Sequence, residues 1–145
     1  MYEITHRVSH QPSAKSMGSH PANLVFRFAL ELAALAAMAM WGWRQGHGSL
    51  RYVIVIGVLV LAAAIWGIFA VPHDPSRSGS APVPISGMLR LGIESVFFAF
   101  AVWGLYAIGK RDVSAVLALA VLAHYAISYD RVAWLLKAKR AGKSQ

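Results

Sequence analysis

The sequence predicts an all-α membrane protein: four transmembrane helices forming two hairpins, with a parallel internal repeat. Three observations predict it. Four long apolar segments follow one another, each close to the ~20 residues that a helix needs to cross ~30 Å of hydrocarbon. Hydrophobic residues make up 57% of the 145 and charged residues only 14%, against roughly 45–50% and about 25% in soluble domains. An Arg–Glu pair in the first segment recurs in the third. Spanning strands are excluded, because the segments are too long and lack apolar/polar alternation.

Residues 1–23 read as a polar, mobile tail with Pro12, Gly18 and Pro21 and no sustained periodicity. Its His6, His10 and His20 read as surface histidines rather than a metal site. No cleaved signal peptide is expected, since the apolar run begins late and leads into Trp41 and Trp43 rather than small residues.

The four spans fall at about residues 24–43, 52–71, 88–108 and 113–134. Arg44 to Arg51 is a tight turn in which Ser49 is positioned to cap the second helix. The segment 72–87 holds four prolines with Ser and Gly and reads as a loop, closed by Ser86 as the cap of the third helix. His73 and Asp74 read as part of a turn rather than as metal ligands. Residues 109–112 are a short connection with Asp112 at the N-cap of the fourth helix. Short first and third connections bring their helices back antiparallel. Residues 135–145 form a basic tail, in which Lys137, Lys139, Arg140 and Lys143 suit anionic lipid headgroups at ~1 kcal/mol each. Nothing in it specifies nucleic acid.

A net charge of +8 would suggest nucleic acid in a soluble chain. Here the basic residues flank spans and orient them. Arg7, Lys15, Arg77, Arg131, Lys137, Lys139, Arg140 and Lys143 lie on the side of the termini; Arg44, Arg51, Lys110 and Arg111 lie on the other. Eight against four predicts a multi-pass protein of the bacterial inner (cytoplasmic) membrane with both termini cytoplasmic. Trp41, Trp43, Tyr52, Trp103 and Tyr106 then form an outer aromatic belt and Trp134 marks the inner one.

Arg27 and Glu31 are echoed 63 residues later by Arg90 and Glu94. Trp41 and Gly42 are echoed, displaced by one, by Trp103 and Gly104. Each repeat holds two spans, so both halves enter the membrane in the same direction. Arg and Glu at i and i+4 share a helix face, so Glu31 and Glu94 reach similar depths, roughly 10 Å and roughly 9 Å. Glu31 can meet Arg90, and Glu94 can meet Arg27, as readily as their own neighbours. In the fourth span His124, Ser128 and Arg131 recur at helical spacing. Counting back along an unbroken helix from Trp134 puts Ser128 at ~9 Å and His124 at ~15 Å from the inner surface. Trp66 reaches the same level. His124 reads as a core histidine bonded to Ser128 or a carbonyl. Ala29, Ala33 and Ala37 read as a small-residue packing stripe.

The run Phe26, Arg27, Phe28, Ala29, Leu30, Glu31, then Trp41, Gly42, Trp43, then Ile65, Trp66, Gly67 with Phe69 and Pro72, and finally Glu94, resembles the YrdB-like family. These are small four-span bacterial membrane proteins of unassigned biochemical role. The resemblance covers roughly residues 23–129 and implies a topology without a mechanism.

No cysteine is present, which excludes thiolate chemistry, disulfides and Cys-based metal or cluster sites. No catalytic motif, metal site or cofactor is read. Three classes of function remain. The leading one is a non-enzymatic membrane protein that stabilises or regulates a partner, as a homo-oligomer or beside another membrane protein, with Arg27, Glu31, Arg90 and Glu94 stapling its helices. The second is a proton-coupled transporter using Glu31 or Glu94, with Trp66, His124 and Ser128 as accessory groups. Small drug exporters share the four spans and a first-span Glu, but lack the doubled Arg–Glu pattern. The third is a membrane cofactor binder. Since His124 alone lies within a span, a bis-histidine haem would need a second copy of the chain.

Overall fold

The computed structural model describes residues 21–72, 74 and 82–137. Among these residues five helices run in order: α1 (Pro21–Gln45), α2 (Leu50–Ile68), α3 (Gly87–Ala107), α4 (Arg111–Ile127) and α5 (Tyr129–Lys137). The first helix begins earlier than the sequence suggests. Pro21 suits a first helical turn, where its missing N–H costs nothing, and Asn23 is buried. The helix takes in Pro21, Ala22 and Asn23, which read as tail, and the tail's histidines lie outside the described residues.

α1 buries Asn23, Arg27, Leu30, Ala34, Ala37, Met38 and Gly42. That is a stripe at spacings of three and four, one face of a helix. Ala29 and Ala33 point outward, so the packing stripe runs through Leu30, Ala34 and Ala37. α3 answers with Arg90, Glu94, Phe98, Ala101 and Leu105, and α4 with Ser114, Leu117, Val121 and His124. The apolar members form one core. α1 is the hub, packing against α2, α3 and α4. α2 buries none of its residues although it is apolar all round.

The turn 46–49 is tight because Gly46 sits against the backbone of Arg51 and Gly48 adopts φ 56°. Ser49 is itself in the right-handed helical conformation, and its hydroxyl makes no cap bond. An N-cap needs extended backbone to aim its oxygen at the first turn. Ser86 has that backbone and accepts from the Leu89 N–H at 3.3 Å. α3 ends in a Schellman turn: Gly109 takes φ 81°, Lys110 N donates to Leu105 O at 2.9 Å, and Gly109 N to Tyr106 O at 3.0 Å. Lys110 rather than Asp112 occupies the N-cap of α4. Asp112 lies in the first turn, where its charge still complements the helix dipole.

Two further expectations are corrected. α2 stops at Ile68, and Phe69–Ala70 (β1) pairs in parallel with Val83–Pro84 (β2), with Ile85 N donating to Ala70 O at 2.9 Å. The second connection is thus pinned at both ends rather than being wholly loop. The fourth segment is also not one helix. It bends by 70° between α4 and α5, at Ser128, with neither Pro nor Gly present. Seventeen residues of α4 reach only ~26 Å, and α5 crosses the end of the bundle. There Leu135 packs with Val71, Ile85 and Trp134.

Among the described residues three helices are long and apolar enough to cross a membrane: α1, α2 and α3, with a fourth crossing if α4 and α5 count together. Their outward faces carry Val25, Phe28, Val53, Ile56, Val60, Val96 and Leu119, each at least 60% exposed. Charged Arg90, Glu94 and Arg131 are buried. Water would favour the reverse arrangement. At the far end Trp41 and Trp103 approach to 5.8 Å, and Trp43 and Tyr52 to 5.1 Å, with Arg51 over the Trp43 ring.

Candidate functional site

The first turns of α1 and α3, the end of α2, and α5 all meet at one end of the bundle. Arg27 Nε donates to Glu31 Oε1 at 2.9 Å along α1, and its Nη2 lies 3.7 Å from Glu94 Oε1 on α3. Glu94 has no exposed surface. Arg131 reaches it from α5: Nη1 is 3.2 Å from both carboxylate oxygens and Nη2 is 3.2 Å from Oε2. The same Nη2 donates to Asp74 Oδ2 at 3.3 Å. Arg131 therefore ties the start of α3 to the connection after α2.

Arg90 turns toward the end of α2. Its Nη1 donates to Trp66 O at 3.1 Å and Phe69 O at 2.6 Å, and its guanidinium lies 4.2 Å from the centre of the Trp66 ring. The last carbonyls of a helix lack intrahelical partners and carry the negative end of its dipole, so a cation is well matched there. Arg27 lies 5.8 Å from the same ring. Two cations thus lie near the electron-rich Trp66 ring.

Arg27, Glu31, Arg90 and Glu94, grouped from the sequence, do converge at this end. Two further members come from elsewhere. Asp74 had read as part of a turn, and Arg131 as a surface charge of the flank, yet both are buried. Among the described residues, three arginines and three carboxylates gather at this end, with Arg90 directed to carbonyls. An unpaired charge here costs several kcal/mol, and the balanced set avoids that cost. The spacing of His124, Ser128 and Arg131 signalled that Arg131 shares the buried face; nothing local signalled Asp74.

Ser128 is buried and accepts a hydrogen bond from Asn23 Nδ2 at 2.7 Å, tying α1 to the bend. This removes the partner expected for His124. His124 is 1% exposed, sits between the rings of Phe26 and Tyr125 at 5.9 Å each, and its ring nitrogens make no hydrogen bond among the described residues. Depths counted along a straight fourth helix do not apply to either residue. Lys137 ends α5; Lys139, Arg140 and Lys143 lie outside the described residues.

Beside the cluster lies a cavity of about 300 Å³ whose wall includes Arg27, Glu31, Trp66, Asp74 and Arg90. Glu94 and His124 are not part of that wall. The cluster can lock helix ends in register, and it can offer charges of both signs to a solute in the cavity.

The family described as protein of unknown function (DUF2568) matches residues 25–123. The "Uncharacterized protein YrdB" of Bacillus subtilis (strain 168) is 41% identical over 114 residues, covering 79% of this chain and 93% of that protein. No solved structure matches the chain.

Proposed function

We propose that the chain, which belongs to the family of protein of unknown function DUF2568, is a small, non-enzymatic integral membrane protein that stabilises or regulates a partner in the bilayer. It crosses four times as two hairpins with a parallel repeat and resides in a bacterial cytoplasmic membrane with both termini inside. The partner is a second copy of the chain or another membrane protein, and the basic C-terminal segment meets anionic lipid. One observation carries this reading. Glu94, wholly buried, is held by Arg131 and approached by Arg27, which suits a fastener between helices better than a group that must exchange protons. The apolar outward faces support the membrane location. The correspondence of Arg27 and Glu31 with Arg90 and Glu94, all at one end, supports the repeat.

Proton-coupled transport is the second reading, favoured because Glu31 lines the cavity. Proteoliposomes loaded with a pH-sensitive dye separate the two. The fastener passes no protons when cationic or anionic solutes are added outside. A solute-driven proton flux that vanishes in Glu31→Gln would overturn it in favour of transport.

A further inference from the structure

The end of the bundle away from the cluster carries charge of nearly one sign. Arg44 lies in the last turn of α1, Arg51 in the first turn of α2, and Lys110 and Arg111 where α3 gives way to α4. Asp112 is the only carboxylate in the two connecting segments, 44–51 and 108–112. Two of these cations, Arg44 and Lys110, belong to the wall of a single pocket of about 340 Å³, together with Met40, Val55 and Ile108. Among the described residues neither side chain makes an ion pair, and no carboxylate shares that wall. The Schellman turn sets Lys110 there, its N–H donating to Leu105 O at 2.9 Å. Trp43 is also in the wall, and the Arg51 guanidinium lies 4.7 Å from its ring centre. Arg51 Nε is buried without a hydrogen-bond partner among the described residues. A third cation thus adds its field beside the pocket.

We infer that this pocket holds one anionic glycerophospholipid, its phosphate between Arg44 and Lys110 and the upper part of one acyl chain against Met40, Val55 and Ile108. The occupant follows from the two characters of one wall. A guanidinium and an ammonium match phosphate oxygens through charge-assisted hydrogen bonds. The ammonium of a zwitterionic headgroup would meet two like charges and no carboxylate. A free phosphate would leave the apolar part of the wall uncovered, whereas a hydrocarbon chain covers it. The volume falls in the range of about 300–1,000 Å³ typical of small-molecule sites. Long basic side chains lay their stems on apolar surface and keep their charges at headgroup level. Trp43 and Tyr52, 5.1 Å apart at this end, are the residue types that gather at a membrane–water interface. The site rests on the membrane location proposed above, but not on whether the buried cluster fastens or transports.

The test uses the full chain reconstituted in nanodiscs of equal phosphatidylglycerol, phosphatidylethanolamine and phosphatidylcholine, then released and weighed by native mass spectrometry. One phosphatidylglycerol per chain is expected, enriched about tenfold over each of the other two, a difference of about 1.4 kcal/mol. Arg44→Gln combined with Lys110→Gln should erase the enrichment at an unchanged melting temperature, because both residues are exposed. Ala39→Phe, which fills the pocket and keeps both charges, should cut retained lipid about tenfold. The basic C-terminal charges attract a lipid surface rather than one molecule. Replacing Lys139, Arg140 and Lys143 together by Gln should therefore leave the enrichment unchanged. Glycerol phosphate at equal concentration should not displace the lipid. Equal retention of the three headgroups, enrichment that survives the loss of Arg44 and Lys110, or full retention in Ala39→Phe would each overturn the site. So would enrichment lost with the C-terminal charges, or displacement by glycerol phosphate. A chain that does not enter nanodiscs overturns the membrane location and the site together; one that enters without preference overturns the site alone.

Discussion

Arg131 and Glu94 lie 37 residues apart in the chain, yet the Arg131 fork covers both carboxylate oxygens of Glu94 at 3.2 Å. The contact joins α5 to α3 where neither residue has water to fall back on. Because Nη2 of the same guanidinium also holds Asp74, one side chain closes the end of the bundle. The consequences are measurable.

Glu94→Gln leaves Arg131 without its main buried counter-charge. A loss of about 3–5 kcal/mol is expected, read from denaturant unfolding in mild detergent. Arg131→Gln should cost a similar amount, and the double variant should cost less than the sum by about 1–3 kcal/mol. Strict additivity would mean that the two side chains are not energetically paired. Glu31 and Arg90, which the sequence left free to pair across the repeat or within their own helices, should couple more weakly, since Arg27 holds Glu31.

Gly87 opens α3 at its approach to α5, and a Cβ there would overlap the backbone of Leu135. Gly87→Ala should lift α5 off the bundle at a cost of about 1–3 kcal/mol. Trypsin cleavage after Arg131, slow in the parent because that residue is buried, should accelerate. Gly92→Ala, with open space around it, should cut no faster than the parent.

Arg90→Lys retains a charge but loses the planar fork. With hydrogen bonds to Trp66 O and Phe69 O given up, the end of α2 and the β1–β2 pair should loosen by roughly 2 kcal/mol. Faster hydrogen exchange of the Ile85 amide, which bonds Ala70 O, is the readout. Exchange at the parental rate would show that charge alone suffices.

The absence of cysteine makes single-cysteine labelling clean. With both termini cytoplasmic, His47→Cys in the first turn should react with an impermeant maleimide on intact cells. Gln145→Cys should react only after lysis. The reverse pattern would invert the orientation. With Arg131 buried in the cluster, the flanking charge bias narrows from eight against four to seven against four.

Much of the helical frame was legible in the residues themselves. Run length and hydropathy locate α1, α2 and α3 to within a few residues, because a helix satisfies its own backbone and needs only local sequence to do so. The Ser86 cap and the short turn at Gly109 are local in the same sense, and so is the sharing of one face by Arg27 and Glu31. Ser49 misled because capping depends on backbone conformation, which composition does not report. What the tertiary structure alone decided is how the charges pair. Arg131 and Asp74 join Glu94 through distances across three elements, and Arg90 goes to helix carbonyls rather than to a carboxylate of its repeat partner. The bend at Ser128 has the same origin. No Pro or Gly marks it; it coincides with the docking of Arg131 on Glu94 and of Leu135 on Gly87. Periodicity states which face a residue occupies, whereas burying a charge requires a partner, and that partner is chosen by where distant segments come to rest.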